Sequence, residues 1–191
     1  MPEIGDEDTD YAERIAANAD VEKGAWQRTL DDMEAMAADL EDEGWNVIQI
    51  PASHTAPENP EAGETDRFGF VYVVPDNYAD EFSEAVEAGT FPSYQVFRQE
   101  MSSRVFMLTQ YLNPDTDTAI LIAGTYEMMH APALVKAATR EDEMYSHVQT
   151  IDGTVLGSFR HDDYTKFFPN PEKYENYVVE PKVGDHHDDE E

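Results

Sequence analysis

The stretch Thr118-Ala119-Ile120-Leu121-Ile122-Ala123-Gly124 decides the fold. Its five central residues are all apolar, whereas a strand with one solvent-exposed face alternates apolar and polar residues. The stretch therefore predicts a strand that is buried on both faces. Such a strand lies inside a sheet and needs a packed layer on each side. The flanking parts of the chain must therefore supply further strands and at least one helical layer.

Further strands are predicted wherever aromatic and β-branched residues are concentrated. They are residues 46–51, 68–74, 94–100, 104–112, 145–151 and 154–159. The last two flank Asp152-Gly153, a dipeptide typical of a two-residue hairpin turn, which would place Ile151 opposite Thr154. The proline-containing residues 52–66 predict a long loop.

Helices are predicted where apolar residues recur at spacings of three and four. The longest runs from Asp10 to about Glu43 and ends at Gly44, with Gly24 as the interior position where a bend or break is expected. Its apolar stripe, expected to face the sheet, comprises Trp26, Leu30, Met33, Ala37 and Leu40. Two shorter helices are predicted at 77–88 and 132–140.

The predicted fold class is α+β, with a mainly antiparallel sheet of six or seven strands and the long N-terminal helix packed beside it. After residue 67 the order strand, helix, hairpin occurs twice, which either a duplicated unit or chance recurrence explains. A single domain is predicted over residues 10–179. The acidic N-terminus, 1–9, and the acidic tail, 180–191, are expected to be disordered.

The chain is strongly acidic, with 42 Asp and Glu against 12 Lys and Arg and a net charge of −30. Residues 1–90 carry 24 acids and 4 bases, whereas residues 91–160 carry 8 and 5. Such a coat repels itself unless salt screens it, since the Debye length falls to about 3 Å at 1 M. We therefore expect a halophilic cytoplasmic protein. The bases form no cluster, which argues against direct nucleic-acid binding.

Composition and motifs exclude several kinds of site. The absence of cysteine excludes disulfides, thiolate metal sites and thiol nucleophiles. No apolar run approaches the roughly 20 residues of a membrane span, and the acidic start is unlike a signal peptide. The serine-elbow, phosphate-loop and zinc-protease motifs are missing from the sequence. No cofactor and no metal site is predicted.

The candidate ligand-binding residues are Tyr145, His147, Arg160, His161 and Arg98. His147 shares a strand face with Tyr145, and the hairpin register places Arg160 opposite Tyr145 and diagonally across from His147. Arg98 is expected to join from the matching strand of the first half. Arginine forks bind carboxylate and phosphate groups, but the same side chains equally form structural networks or pair with nearby acids.

Three segments carry a resemblance to a known family: the acidic N-terminal helix, TDRFGFVYVVP at 65–75, and MYSHVQT at 144–150 with GSFRHDDY at 157–164. Over nearly the whole chain, the sequence resembles a family of uncharacterised haloarchaeal proteins of unknown function. The resemblance implies a salt-rich cytoplasm and no particular activity.

The leading hypothesis is a module that binds a small molecule or another protein. A small hydrolase-like enzyme that uses His147, His161 and Arg160 is one alternative, and an acidic mimic of nucleic acid is another. A concave pocket that joins histidine and arginine side chains favours a ligand or substrate, whereas a sheet face with an exposed apolar patch favours a protein partner.

Overall fold

The computed structural model describes residues 6–60 and 68–177. The helices in this part are α1 (Asp6–Asp42), α2 (Ala79–Glu87) and α3 (Pro132–Glu141), with short 3₁₀ helices at Asp76–Tyr78, Met128–His130, Tyr164–Lys166 and Pro171–Tyr177. The strands are β1 (Asn46–Pro51), β2 (His54–Glu58), β3 (Gly69–Val73), β4 (Ser93–Met101), β5 (Arg104–Asn113), β6 (Thr118–Glu127), β7 (Met144–Gln149) and β8 (Val155–His161). The predicted acidic tail lies outside the described residues, as do residues 1–5 of the predicted N-terminal segment.

The eight strands form two four-stranded sheets, sheet A in the order β1-β6-β5-β4 and sheet B in the order β2-β3-β7-β8. The β1–β6 and β3–β7 pairs are parallel, and the other four pairs are antiparallel. The predicted α+β class with mostly antiparallel pairing is confirmed, although two sheets replace the single predicted one. The predicted loop 52–66 contains β2, which tolerates Pro57 because it is an edge strand.

The central strand β6 is covered on both faces, as its apolar run predicts. Residues 118–124 are all buried between β1 and β5. Leu121 and Ala123 pack toward α1, in a cluster with Met33. Ile120 and Ile122 pack in the other direction, toward the residues of sheet B. The molecule is therefore layered as α1, sheet A and sheet B.

Helix α1 turns its predicted apolar stripe onto sheet A, with Met33 and Ala37 buried and Trp26, Leu30 and Leu40 partly buried beside them. It begins at Asp6 rather than Asp10 and continues without a break through position 24. Residues 10–21 are exposed on every side, so packing on the sheet begins only near Ala25. No helix in the described residues is long and apolar enough to cross a lipid bilayer.

The order strand, helix, hairpin does occur twice, as β3-α2-β4-β5 and as β6-α3-β7-β8. Each leading strand pairs with the hairpin of the other unit. The pairing differs, because β3 runs parallel to β7 whereas β6 runs antiparallel to β5. The two units therefore share the order of their elements but not their strand pairing.

Candidate functional site

The β7–β8 hairpin has the predicted register through most of its length. Tyr145 lies opposite Arg160, and His147 lies opposite Ser158. Each of these pairs matches the arrangement that a two-residue turn would produce. Tyr145 and Arg160 are therefore cross-strand neighbours, as expected from the sequence.

The turn itself differs from the predicted one. The Thr150 N–H donates to the Thr154 carbonyl, and the Gly153 N–H donates to the Thr150 carbonyl, with Gly153 at a φ of 88°. This turn has three residues rather than two, which displaces the register by one. An extra residue on β8, Leu156, forms a bulge and displaces it back. The two offsets cancel before the candidate residues are reached.

Tyr145, His147 and Arg160 lie on the outer face of sheet B, since they alternate with buried neighbours along their strands. The rings of Tyr145 and His147 are parallel within 8° with centroids 5.9 Å apart. His147 Nδ1 lies 2.7 Å from Ser158 Oγ. The Arg160 guanidinium, 57% exposed, donates to the carboxylates of Glu143 and Asp162. Its charge is therefore already balanced by two acids.

His161 points the opposite way from Arg160 and is only 1% exposed. Its ring packs against both Tyr94 and Phe167, with centroid distances of 4.5 and 4.7 Å, and those two rings also contact each other. Its Nε2 lies 2.8 Å from Ser146 Oγ, while Nδ1 has no hydrogen-bond partner among the described residues. Burial, reinforced by the positive charge of Lys166, lowers the His161 pKa to about 3. The imidazole is therefore a neutral core group.

The three residues of the hydrolase-like alternative do not share one site. His147 and Arg160 are on the outer face of the hairpin, and His161 is on the inner face. The hydroxyl within hydrogen-bond distance of His161 belongs to Ser146, whose side chain is fully buried. A substrate on the surface reaches neither member of this serine–histidine pair.

Arg98 lies apart from Tyr145, His147 and Arg160, on the inner face of β4 next to the 3₁₀ helix Pro171–Tyr177. Its Nη2 donates to the phenol of Tyr174 at 2.6 Å, and that phenol lies 3.3 Å from the Tyr126 phenol. The nearest carboxylate, Glu100, is 3.6 Å away. Burial lowers the pKa of Arg98, but the two phenols and this carboxylate outweigh that effect and leave the pKa raised. The guanidinium is therefore a desolvated cation held mainly by tyrosines.

A cleft of about 690 Å³ lies against the outer side of Tyr174, and we call it the α3 cleft. One wall is a single face of α3, with residues spaced three and one apart: Pro132, Val135, Lys136, Thr139 and Arg140. The facing wall is formed by residues that follow β8: Tyr164, Pro171, Glu172 and Tyr174. On the side that faces the protein interior, Tyr174 of this second wall accepts the hydrogen bond from Arg98.

The charge of the α3 cleft is divided between its walls. Lys136 and Arg140 stand one helical turn apart on α3, and Glu172 stands on the facing wall. Arg140 pairs with the adjacent Glu141 at 2.9 Å in an exposed position, where such a pair contributes about 0–1 kcal/mol. Among the described residues, the structure records no ion pair for Lys136. Two cations therefore remain accessible on the α3 wall.

Sequence reasoning missed the α3 cleft because its walls are distant in the chain and carry no motif. The available signal was the pair Lys136 and Arg140, four apart on a predicted helix in a chain with only 12 bases. Across the described part of the chain, no three His, Asp or Glu side chains are grouped so that they could hold a metal ion.

Residues 12–169 match a family of unknown function, DUF7529. The chain belongs to this DUF7529 family. The matched region includes both sheets, α3 and all five candidate residues of the sequence analysis, whereas Pro171, Glu172 and Tyr174 follow it. Neither the curated proteins nor the solved structures contain a match to this DUF7529 chain.

Proposed function

We propose that this DUF7529 chain is a halophilic binding protein for a small molecule that has an apolar body and an anionic group. The observation that carries the proposal is the α3 cleft, in which two cations border an apolar cavity on a protein of net charge −30. Its volume of about 690 Å³ lies within the range of roughly 300–1,000 Å³ that is usual for small-molecule sites.

The walls of the cleft assign separate roles to its side chains. The partly exposed Tyr164 offers apolar surface for the body of the ligand, and the nearly buried Val135 and Tyr174 line the same cavity. Lys136 and Arg140 offer donors to a carboxylate, sulfonate or phosphate. Glu172 repels the same group from the facing wall. The ligand is therefore expected to direct its anion toward α3.

Binding is proposed rather than catalysis because of where the reactive groups lie. The α3 cleft contains no histidine in its described lining, and its one described carboxylate is Glu172. The buried pair Ser146 and His161 is closed to solvent. General acid–base chemistry needs a titratable group within hydrogen-bond reach of the substrate.

Salt adaptation and a haloarchaeal cytoplasmic origin are part of the proposal. They are supported by the ratio of 42 acids to 12 bases and by the exposure of the acids along α1. A surface of this kind stays soluble and folded when concentrated salt screens its self-repulsion. The sequence resemblance to haloarchaeal proteins agrees with this interpretation.

The test compares an apolar carboxylate, 3-phenylpropanoate, with its neutral isostere 3-phenylpropanamide by isothermal titration calorimetry in concentrated KCl. We expect the carboxylate to bind at least about tenfold more tightly, since a charge-assisted hydrogen bond contributes roughly 1.5–3 kcal/mol. Equal affinities, or no binding of either compound, would refute an anion site.

Matched variants locate the site. Lys136→Ala with Arg140→Ala should remove the preference for the carboxylate. Lys23→Ala with Arg28→Ala removes the same charge from exposed positions on α1 and should leave binding unchanged. Glu172→Gln should tighten binding, because it removes the repulsive charge from the facing wall. Equal losses in the two double variants would contradict the assignment to the α3 cleft.

A further inference from the structure

A second concave surface, of about 570 Å³, lies on the α1 side of sheet A, between that helix and edge strand β4. We call it the α1–β4 groove. The sheet provides its floor: Phe97, Gln99, Phe106 and Leu108, with part of Arg98. One face of α1 provides its wall: Thr29, Asp32, Ala35, Met36 and Asp39.

The groove exists because one helix does not cover a four-stranded sheet. Strands about 4.8 Å apart place the outer two of four roughly 14 Å from each other, whereas a helix with its side chains is about 10 Å across. Helix α1 packs on Val47 of β1, Leu121 of β6 and Leu108 of β5. Helix α1 does not cover the outer side of β4, where the side chain of Phe97 is 49% exposed. In the described residues, a position for a second helix beside α1 is thus open.

The floor of the groove exposes one large apolar side chain, Phe97, beside the exposed Gln99. Phe97 lies directly opposite Leu108 in the β4–β5 pairing, and Gln99 lies opposite Phe106. Leu108 and Phe106 are buried at the base of the groove, so the exposed Phe97 ring extends a continuous apolar surface toward the sheet edge. Met36 borders the same surface from α1. An exposed apolar surface with a polar border is typical of a protein interaction site.

The wall of the groove carries two regularly spaced negative charges. Asp32 and Asp39 are seven residues apart, which corresponds to two helical turns or about 10.5 Å along the axis of α1. Both are exposed, and the structure records no ion pair for either of them among the described residues. A second helix that lies along α1 would meet these charges with side chains of the same seven-residue spacing.

The charge of the chain argues against its own segments as the occupant. Residues 1–5, 61–67 and 178–191, which lie outside the described part, together contain 10 acids and 2 bases. A second copy of the chain would bring a net charge of −30 against the acidic wall. Charge complementarity therefore favours an occupant that is itself positively charged.

We propose that the α1–β4 groove binds a cationic amphipathic helix of a partner protein. The apolar side of that helix packs on Phe97 and Met36, and two of its Lys or Arg side chains, seven residues apart, pair with Asp32 and Asp39. This is helix-in-groove recognition, in which apolar contact supplies affinity and charge selects the partner. The site is separate from the α3 cleft and does not depend on it.

The test uses two labelled synthetic helices of about 18 residues with the same apolar face, one with Lys and one with Glu at positions seven apart. Fluorescence anisotropy is measured with the full chain in about 1 M KCl, where long-range attraction to the acidic coat is screened. We expect the lysine helix to bind and the glutamate helix to bind at least about tenfold more weakly.

Variants with equal charge separate the groove from the rest of the acidic surface. Asp32→Asn with Asp39→Asn should weaken binding of the lysine helix about tenfold or more. Glu34→Gln with Glu41→Gln removes the same charge at the same spacing from positions on α1 that do not line the groove, and should change affinity less than about twofold. Phe97→Ser should also weaken binding while circular dichroism shows an unchanged fold.

Four results would overturn the proposal. Equal losses in the two double variants would show that the peptide is attracted to the acidic surface as a whole rather than to the groove. Equal binding of the two helices would show that the charge of the peptide does not select it. A dimer that Phe97→Ser dissociates would assign the groove to a second copy. Tighter binding of the lysine helix after deletion of residues 178–191 would assign it to the acidic tail. Binding of 3-phenylpropanoate should be the same in all these variants, so failure here is distinct from failure at the α3 cleft.

Discussion

The guanidinium of Arg98 donates a hydrogen bond of 2.6 Å to the phenol of Tyr174, and that tyrosine forms part of the wall of the α3 cleft. The bond ties the 3₁₀ helix Pro171–Tyr177 to strand β4 of sheet A. Because Arg98 is largely desolvated, the loss of one partner is costly for it. The wall of the cleft and the interior of the protein are therefore energetically coupled.

Tyr174→Phe tests this coupling. The substitution keeps the ring that borders the cleft and removes the acceptor of Arg98, so we expect a loss of about 1.5–3 kcal/mol in the free energy of unfolding. Tyr164→Phe is the matched control, since Tyr164 also lines the cleft but has no recorded hydrogen bond through its phenol. Urea denaturation measures both, and equal losses would contradict the coupling.

The buried imidazole of His161 makes stability depend on pH. Its pKa is about 3 in the folded protein, against 6.5 for an ordinary histidine side chain in water, so the unfolded chain binds a proton first as pH falls. The contribution is fully present above pH 6.5 and is lost below it, at up to about 1.4 kcal/mol per pH unit. His161→Gln should show a shallower loss of stability between about pH 6 and 4.

The comparison of the two proteins isolates the histidine. Protonation of the acidic coat relieves repulsion equally in both, so it cancels in the difference between their unfolding free energies. Parallel stability profiles over this pH range would show that the His161 imidazole is not held neutral by burial.

Gly69 is required where β3 meets β7. A Cβ at this position would lie 1.6 Å from the carbonyl oxygen of Tyr145, so Gly69→Ala should separate the two strands at a cost above about 3 kcal/mol. At Gly24, inside α1, an added Cβ has its nearest contact at 3.8 Å, and Gly24→Ala should stabilise the protein by up to about 1 kcal/mol. Chemical denaturation measures the free energy of unfolding of both variants. Similar changes in the two would contradict this account of Gly69 and Gly24.

Much of this fold could be predicted from the sequence because its signals are local. The unbroken apolar run 119–123 marked the central strand, and the stripe that includes Met33 marked the buried side of α1. The division into two sheets could not be predicted, since it depends on β3 pairing in parallel with β7, a contact between distant segments. The strand β2 was missed because Pro57 disfavours a strand everywhere except at an edge.

The candidate site was predictable only in part. The hairpin turn indicated that Tyr145 and Arg160 face each other, and they do. Grouping Arg160 with His161 overlooked the period of two along a strand, which directs consecutive side chains to opposite faces. The α3 cleft forms because the segment after β8 packs beside α3, and no local sequence pattern predicts that long-range contact.

The surface formed by Tyr145, His147 and Arg160 remains a predicted ligand-binding surface. His147→Ala with Arg160→Ala should cost less than about 1 kcal/mol of stability, because both side chains are at least partly exposed and the ion pairs of Arg160 are on the surface. A loss of several kcal/mol in urea denaturation would show instead that these residues form a structural network.

The melting temperature should rise markedly between 0.1 and 2 M KCl, because concentrated salt screens the repulsion among roughly thirty uncompensated negative charges. Differential scanning calorimetry measures this directly. A melting temperature that does not change over this range would reject the proposal of salt adaptation.

The most direct test of the central claim is a titration of the isotopically labelled chain with 3-phenylpropanoate, followed through the chemical shifts of its backbone amides. The α3 cleft predicts saturable shifts in residues 132–140 and around Glu172 and Tyr174, with none in the β7–β8 hairpin. Shifts confined to residues 144–161, or no saturable shifts at all, would contradict a small-molecule site between α3 and the 3₁₀ helix Pro171–Tyr177.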